Sequence, residues 1–102
     1  MKVFISGKMT GLTHEEFQAK FDAAAKKLQA MGYEIFNPSV SEWNDAMHDR
    51  GMSYGEILIE DFRKVQECDA LYMLDNWKES KGATAEHAFA DAIGMKIMYE
   101  ES

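Results

Sequence analysis

Two carboxylates of this chain lie on the apolar sides of predicted helices, where charged groups are uncommon. Glu86 stands three and four residues before Phe89 and Ala90, so these side chains share one helix face. Asp61 stands four residues before Val65, on the apolar stripe of the preceding helix. Carboxylates attack electron-poor carbon atoms and move protons, and a pair of them can divide those tasks. The two residues are therefore candidates for catalysis.

Each carboxylate also has a structural interpretation. If the last helix starts near Thr84, Glu86 falls in its first turn, where a glutamate commonly complements the helix dipole. The same dipole would favour the ionised form of Glu86 and keep it ready to attack. Asp61 taken alone is more often a partly exposed helix residue than a catalytic one. Position alone therefore leaves structural and catalytic roles open for both residues.

The elements that hold the two carboxylates alternate between strands and helices. Four apolar runs have the length of buried strands: KVFIS, YEIF, DALYML and MKIMY. Thr13 with Glu16, and Ser53 with Glu56, have the spacing of capping boxes. These boxes predict the starts of two helices, the second running to about Glu67.

Glycines and a polar stretch divide these elements. Gly32 ends the first predicted helix, and Gly94 ends the helix that carries Glu86. Residues 39 to 52 lack periodicity and predict a long loop. The apolar stripe of the first helix consists of Phe17, Phe21, Ala24, Leu28 and Met31.

The order of the elements predicts a fold. Strands that are separated by helices run parallel, with helices on both faces of the sheet. We expect one α/β domain over residues 1–102, a three-layer Rossmann-like (flavodoxin-like) fold with a four-stranded parallel sheet in the order 2-1-3-4. Its ligand crevice would lie at the carboxyl ends of the first and third strands, where the winding reverses. The loops SGKMTG and DNWKESKG are expected to meet there.

These two loops supply candidate ligand contacts near Glu86. A helix N-terminus binds anions readily, and nearby lysines would add positive charge. SGKMTG matches neither a Walker loop nor G-x-G-x-x-G, so alone it is either an ordinary turn or a phosphate loop. Trp43 and Trp77 lie in polar loops, where an indole stacks on a planar ligand or covers the end of a sheet. The candidate substrate-binding residues are Ser6, Gly7, Lys8, Met9, Trp77, Ser80, Gly82 and Ala83.

The composition argues against several classes of protein. A formal net charge of −7 over 102 residues argues against binding a nucleic-acid polymer but allows a small anionic ligand. The single cysteine, Cys68, forms no internal disulfide, and no set of histidines and thiols suggests a metal site. No apolar run has the length of a membrane span or a signal peptide. We expect a cytoplasmic protein that uses no metal or cofactor and does not bind membranes.

Four stretches together resemble the nucleoside 2-deoxyribosyltransferase superfamily. They are FISGKMTG, the NP after the second strand, EDFRKVQECDALYML and SKGATAEHAFADAIG, and they cover nearly the whole chain. The chain is most similar to a small branch of that superfamily. Its characterised relatives are nucleoside 2-deoxyribosyltransferases and 2'-deoxynucleoside 5'-phosphate N-hydrolases. The resemblance implies an N-glycosidase of nucleotide metabolism.

The resemblance also implies roles for individual residues. Glu86 matches the nucleophile that attacks the anomeric carbon and forms a glycosyl ester, and Asp61 matches an aspartate near the base and sugar. Ser80, six residues before Glu86, matches a serine that touches the 5'-phosphate in the hydrolases, whereas the transferases carry an aspartate there. Gly82 and Lys8 are expected near the same phosphate. The resemblance therefore favours hydrolysis of a 2'-deoxynucleoside 5'-monophosphate.

The chain departs from its relatives at two places. The first strand of the family usually presents a tyrosine that orients the nucleophile, and the matching residue here is Phe4. Relatives continue beyond the final strand and lend residues to a neighbouring subunit, while this chain stops at Ser102. By this analogy we expect a homodimer. Two alternatives to hydrolysis stay open: transfer of deoxyribose between bases, and a nucleotide-binding or interaction module without turnover.

Overall fold

The sheet has the predicted class and strand order. The computed structural model describes residues 1–9, 11–39 and 50–100. These residues form four strands: β1 (Lys2–Ser6), β2 (Glu34–Phe36), β3 (Ala70–Met73) and β4 (Lys96–Tyr99). Neighbouring strands pair in parallel, in the order β2-β1-β3-β4. The predicted α/β class, parallel sheet and order 2-1-3-4 are confirmed.

Three α-helices occur in the described residues: α1 (His14–Ala30), α2 (Tyr54–Glu67) and α3 (Lys81–Ala92). A short 3-10 helix, Trp77–Glu79, precedes α3. At the start of α1, Thr13 Oγ1 accepts a hydrogen bond from the amide of Glu16. At the start of α2, Ser53 and Glu56 form both bonds of a capping box. The helix starts that these residues predicted are therefore confirmed.

The helices cover both faces of the sheet. On one face, Phe21 of α1 belongs to a buried cluster with Ile5 of β1. On the other face, residues of α2 and α3, including Ala90, form a second buried cluster with Phe4. Because side chains alternate along a strand, Ser6 points to the same face as Phe4. The end of β1 therefore directs Ser6 towards α2 and α3.

The predicted apolar stripe of α1 extends one residue too far. Met31 follows the last helical residue, Ala30, and its side chain is 59% exposed. Phe21 and Leu28 are buried as predicted. Among the helices that the structure describes, none is long and apolar enough to cross a membrane.

Aromatic stacking joins the two helices that carry the candidate carboxylates. Phe62 of α2 lies parallel to Phe89 of α3, with 4.7 Å between ring centroids and 4° between planes. Val65 of α2 is fully buried, whereas Phe62 is half-buried. This contact fixes the separation of the helices that bear Asp61 and Glu86.

Candidate active site

The carboxyl ends of β1 and β3 form the floor of the crevice. The amide of Leu74 donates to the carbonyl of Ser6 at 2.8 Å. The amide of Lys8 donates to Asn76 Oδ1 at 3.1 Å. These two bonds join the loop after β1 to the loop after β3. The predicted meeting of the SGKMTG and DNWKESKG loops is therefore confirmed.

Asp75 anchors the beginning of the second loop. Its carboxylate accepts a hydrogen bond from Lys20 Nζ at 2.6 Å, and its amide donates to Glu100 Oε1 at 2.9 Å. The hydrogen bond to Asp75 raises the pKa of the Lys20 amine. The loop is thus tied to α1 and to the residue that follows β4, which gives the crevice a fixed wall.

Gly7 lies where the chain passes closest to the end of β3. A Cβ atom at this residue would lie 2.5 Å from Leu74 Cδ1 and 2.9 Å from Leu74 Cβ. Such distances are far shorter than van der Waals contact, so only glycine fits without a shift of the floor. Packing is therefore sufficient to explain the glycine at this predicted binding residue.

Glu86 lies in the second turn of α3, because the helix begins at Lys81 and not near Thr84. The expected first-turn position is therefore wrong, and the dipole effect falls off within the first turn. The Glu86 side chain is 6% exposed. Burial raises the pKa of Glu86 to about 8; a hydrogen bond from Ser6 opposes this rise, and the charge of Asp61 adds to it. At neutral pH the free protein holds Glu86 mostly protonated, in contrast to the ionised form expected from the sequence.

Ser6 is the hydrogen-bond partner of Glu86. Its Oγ donates to Glu86 Oε1 at 2.5 Å, across the contact between β1 and α3. Phe4, two residues earlier on the same strand face, is fully buried and stacks on Phe36 at 5.3 Å. A hydroxyl group of β1 therefore reaches the carboxyl group from residue 6, whereas Phe4 has no hydroxyl group to offer.

Asp61 lies on α2 and is half-buried. Its charge acts on Glu86 and disfavours the ionised form of that residue. The two carboxylates singled out by their helix positions are therefore close enough to interact electrostatically. When two carboxylates interact in this way, their protons are lost as properties of the pair.

The start of α3 combines a side-chain cap with two amides that have no partner within the helix. Ser80 Oγ accepts a hydrogen bond from the amide of Ala83 at 3.1 Å. The Ala83 side chain is buried and offers no surface to a ligand. The first amides of a helix have no partner within the helix, so those of Lys81 and Gly82 are available to an anion. Ser80 and Gly82 therefore lie at the N-terminal end of α3, whereas the Ala83 side chain lies in the core.

Tyr54 lies beside the start of α3, a position that the sequence did not reveal. It is the first residue of α2, and its side chain is 58% exposed. A Cβ atom at Gly82 would lie 3.0 Å from the Tyr54 hydroxyl oxygen. The phenol therefore lies against the first turn of α3, where only a small residue leaves room for it. The sequence feature that could have pointed to Tyr54 is the aromatic side chain directly after the Ser53 cap.

Two of the predicted substrate contacts pack against other parts of the protein. The Trp77 indole stacks on the His87 imidazole, with ring centroids 4.3 Å apart and planes 13° apart. One face of the indole is therefore occupied. Met9 packs against the buried cluster of α1, on the opposite face of the sheet from Glu86. Trp43, the other indole considered, lies outside the described residues.

A shallow recess of about 380 Å³ flanks the N-terminal half of α3. Lys78, Ser80 and Lys81 line it together with Glu79 and small residues of the helix. Its two lysines favour an anionic group, although Glu79 offsets part of their charge. In the described part of the chain, no group of three or more His, Cys, Asp or Glu side chains could hold a metal ion.

The fold and the site define a Rossmann-like α/β protein with a buried carboxyl group beside the crevice where the sheet reverses its winding. The chain belongs to the family described as "Domain of unknown function (DUF4406)", whose model matches residues 1–99. No curated protein matches the chain in sequence. The description of the family assigns no activity.

Proposed function

We propose that the chain hydrolyses the N-glycosidic bond of a 2'-deoxynucleoside 5'-monophosphate, with Glu86 as the nucleophile. The observation that carries the proposal is the environment of Glu86: it is 6% exposed, bonded to Ser6 and coupled to Asp61. A buried carboxyl group with a strongly raised pKa beside a crevice is typical of functional sites. The resemblance to the nucleoside 2-deoxyribosyltransferase superfamily, whose nucleophile matches Glu86, supports the same role.

The proton on Glu86 is the one that the leaving base needs in the first step. A carboxyl oxygen of Glu86 attacks the anomeric carbon while the bond from that carbon to the base nitrogen breaks, and its electron pair leaves with the base. The proton that Glu86 carried ends on the base, with Asp61 as relay or orienting group. The products are a deoxyribosyl ester of Glu86 and a neutral base.

Water completes the hydrolysis. Its oxygen attacks the same anomeric carbon, the ester bond to Glu86 breaks, and a proton from the water returns to the carboxyl group. Two displacements at one carbon retain its configuration. If a second base takes the place of water, the same intermediate gives the transferase reaction.

The start of α3 supports a phosphorylated substrate. The amides of Lys81 and Gly82 point out of the helix end, and an anion there meets the positive end of the dipole. The Ser80 hydroxyl accepts the cap bond and still has its own hydrogen to donate to a phosphate oxygen. Lys8 lies on the facing loop, whose backbone is held by Asn76. These groups suit a 5'-phosphate better than a neutral hydroxyl.

Incubation with a panel of 2'-deoxynucleosides and their 5'-monophosphates, with free base measured by chromatography, tests this proposal. We expect base release from monophosphates, reduced by at least about 1000-fold in Glu86→Gln. Asp91→Asn is the matched control, because it also changes a carboxylate to an amide on α3, at an exposed residue. Unchanged release in Glu86→Gln would contradict the role of Glu86. Adding a second base distinguishes transfer from hydrolysis.

A nucleotide-binding or interaction module is the second candidate. The raised pKa keeps Glu86 neutral and hydrogen-bonded at pH 7, which is also how a purely structural carboxyl group is accommodated in a buried place. Calorimetry that detects binding of a deoxynucleotide, together with no base release by the wild type, would favour this module over the enzyme.

The proposal includes a homodimer. Tyr54, Ile59 and Tyr99 are each more than half exposed, and large apolar side chains of this kind are the groups that subunit contacts bury. Light scattering at high micromolar concentration should report twice the mass of the chain. A monomer under those conditions would contradict this part of the proposal.

A further inference from the structure

Ser6 has no surface to offer to a substrate. Its side chain is 1% exposed, and it lies beneath α3 at the last residue of β1. A direct substrate contact needs an accessible atom, and the Ser6 hydroxyl is already engaged with Glu86. The role that the sequence suggested for Ser6, a substrate contact, is therefore not the role that its surroundings favour.

The backbone of Ser6 is rigidly held. Ser6 pairs with Met73 in the register of β1 and β3, and its carbonyl accepts the amide of Leu74 at 2.8 Å. The next residue, Gly7, packs so closely on Leu74 that a side chain there would collide with it. The backbone that carries the Ser6 hydroxyl is thus fixed in the central part of the sheet, so the hydroxyl can change position only by rotation about χ1.

Glu86 is in contrast a side chain with three rotatable bonds. Its Oε1 accepts a hydrogen bond from the Ser6 hydroxyl at 2.5 Å, the short end of the range for O–H···O bonds. Only one of the two carboxyl oxygens is used in this bond. Asp61 of α2 acts on Glu86 through its charge, and this action disfavours the ionised form of Glu86 without fixing the direction of its carboxyl group. Ser6 therefore supplies the directional contact.

We infer that Ser6 is a positioning residue, which fixes the Glu86 carboxyl group through Oε1 and so leaves Oε2 as the oxygen that reacts. The inference rests on the proposed function, because it concerns the orientation of Glu86, the proposed nucleophile. Ser6 touches neither the sugar nor the base; it acts through Glu86. Glu86 thus needs no tyrosine hydroxyl from residue 4 to hold it.

Ser6→Ala tests the inference. We expect kcat for base release to fall by about 10- to 100-fold, because a misplaced reacting group loses its alignment, while KM changes less than about threefold. The pKa of Glu86, followed by the ¹³C resonance of its carboxyl group in glutamate-labelled protein, should rise by about one pH unit because the ionised form loses a donor. Ser6→Thr, which keeps the hydroxyl, should restore both values towards those of the wild type.

Two further variants separate positioning from stability. Ser6→Cys replaces the hydroxyl by a somewhat larger thiol that is a much weaker donor, so it should repeat the effects of Ser6→Ala without leaving a cavity. Thr13→Ala removes a hydroxyl from the cap of α1 on the other face of the sheet, and it should leave kcat and the pKa of Glu86 unchanged.

The outcomes distinguish this inference from the proposed function. An active wild type whose Ser6→Ala variant keeps its kcat and its Glu86 pKa would overturn the inference alone. A fall in kcat without any change in that pKa, and without recovery in Ser6→Thr, would also overturn it, because a general structural defect would then be the cause. A wild type that releases no base from any deoxynucleotide would overturn the proposed function and, with it, a catalytic role for Ser6.

Discussion

The hydroxyl oxygen of Ser80 accepts a hydrogen bond from the amide of Ala83 at 3.1 Å, so the residue proposed to bind phosphate also caps α3. Ser80→Ala should remove both interactions. We expect a loss of about 1 kcal/mol in the free energy of unfolding from the missing cap. We also expect binding of a monophosphate to weaken by about 1–3 kcal/mol, because a donor to a charged group is lost.

Thr13→Ala is the control that separates the two effects of Ser80→Ala. It removes the cap of α1 and should lower stability by a similar amount while leaving ligand binding intact. Urea unfolding and calorimetric binding measure the two quantities. Equal weakening by Ser80→Ala towards a nucleoside and its monophosphate would show that Ser80 does not bind the phosphate.

Glu86 makes the stability of the fold depend on pH. Its pKa rises from an ordinary value of 4.5 to about 8, so between these values the folded state holds a proton that the unfolded chain has released. The stability from this proton is fully present below pH 4.5 and is lost as the pH rises through 8, at about 1.4 kcal/mol per pH unit.

Glu86→Gln should abolish this dependence, because an amide has no such proton to lose. The free energy of unfolding of Glu86→Gln minus that of the wild type should therefore increase from pH 5 to pH 8. Urea unfolding at each pH measures this difference. Asp91→Asn, an exposed change on the same helix, should show no widening. A constant difference for Glu86→Gln would mean that Glu86 is ionised throughout in the folded protein.

The proposed first step also determines how base release depends on pH. The step begins with a proton on Glu86, so kcat/KM should fall as the pH rises through about 8. Asp61→Asn removes a charge that raises this pKa and should move the fall to lower pH. Initial rates with one monophosphate, measured across this pH range for the wild type and for Asp61→Asn, give the pH at which kcat/KM falls in each protein. A rise in kcat/KM through pH 8 would instead identify the ionised carboxylate as the reactive form.

Two glycines provide a matched test of the crevice floor. Gly7→Ala should lower the free energy of unfolding by about 1–3 kcal/mol, because the new Cβ atom would lie 2.5 Å from Leu74 Cδ1. Gly55→Ala on α2 has open space, with Ser53 Oγ at 4.0 Å, and should stabilise the helix by about 0.5–1 kcal/mol. The midpoints of thermal or urea unfolding of the two variants should shift in opposite directions relative to the wild type. Equal effects would contradict the close contact of Gly7 with Leu74.

The fold was predictable from the sequence because its signals are local. Apolar runs such as DALYML and the Ser53–Glu56 capping box lie within single elements, and the rules for connecting parallel strands then restrict the order of the sheet. The start of α3 was misplaced because Ser80 and Thr84 are both residue types that cap helices, and Gly82 between them is a poor helix former.

The candidate site was predictable only in part. Helical periodicity predicts that Glu86 and Asp61 face inward, but it carries no information about the solvent exposure of their carboxyl groups. The protonation of Glu86 depends on its burial and on Ser6, a residue 80 positions away in the chain. The place of Tyr54 beside Gly82 depends equally on how α2 and α3 meet. Such contacts follow from tertiary packing and leave no local pattern.

The pairing of β1 with β3 has a consequence for how the chain folds. Val3 pairs with Ala70, so the central strand gains its second neighbour only after about two thirds of the chain has been brought back to it. Contacts between residues this far apart in the sequence cost loop-closure entropy before the contacts themselves add stabilising energy, and this slows folding. Until then one edge of β1 is open to strands of other molecules, and unpaired strand edges of this kind are prone to aggregation. The contact of Ser6 with Glu86 requires the same return of the chain, so we expect the carboxyl group to lose its contact with water only after this loop has closed.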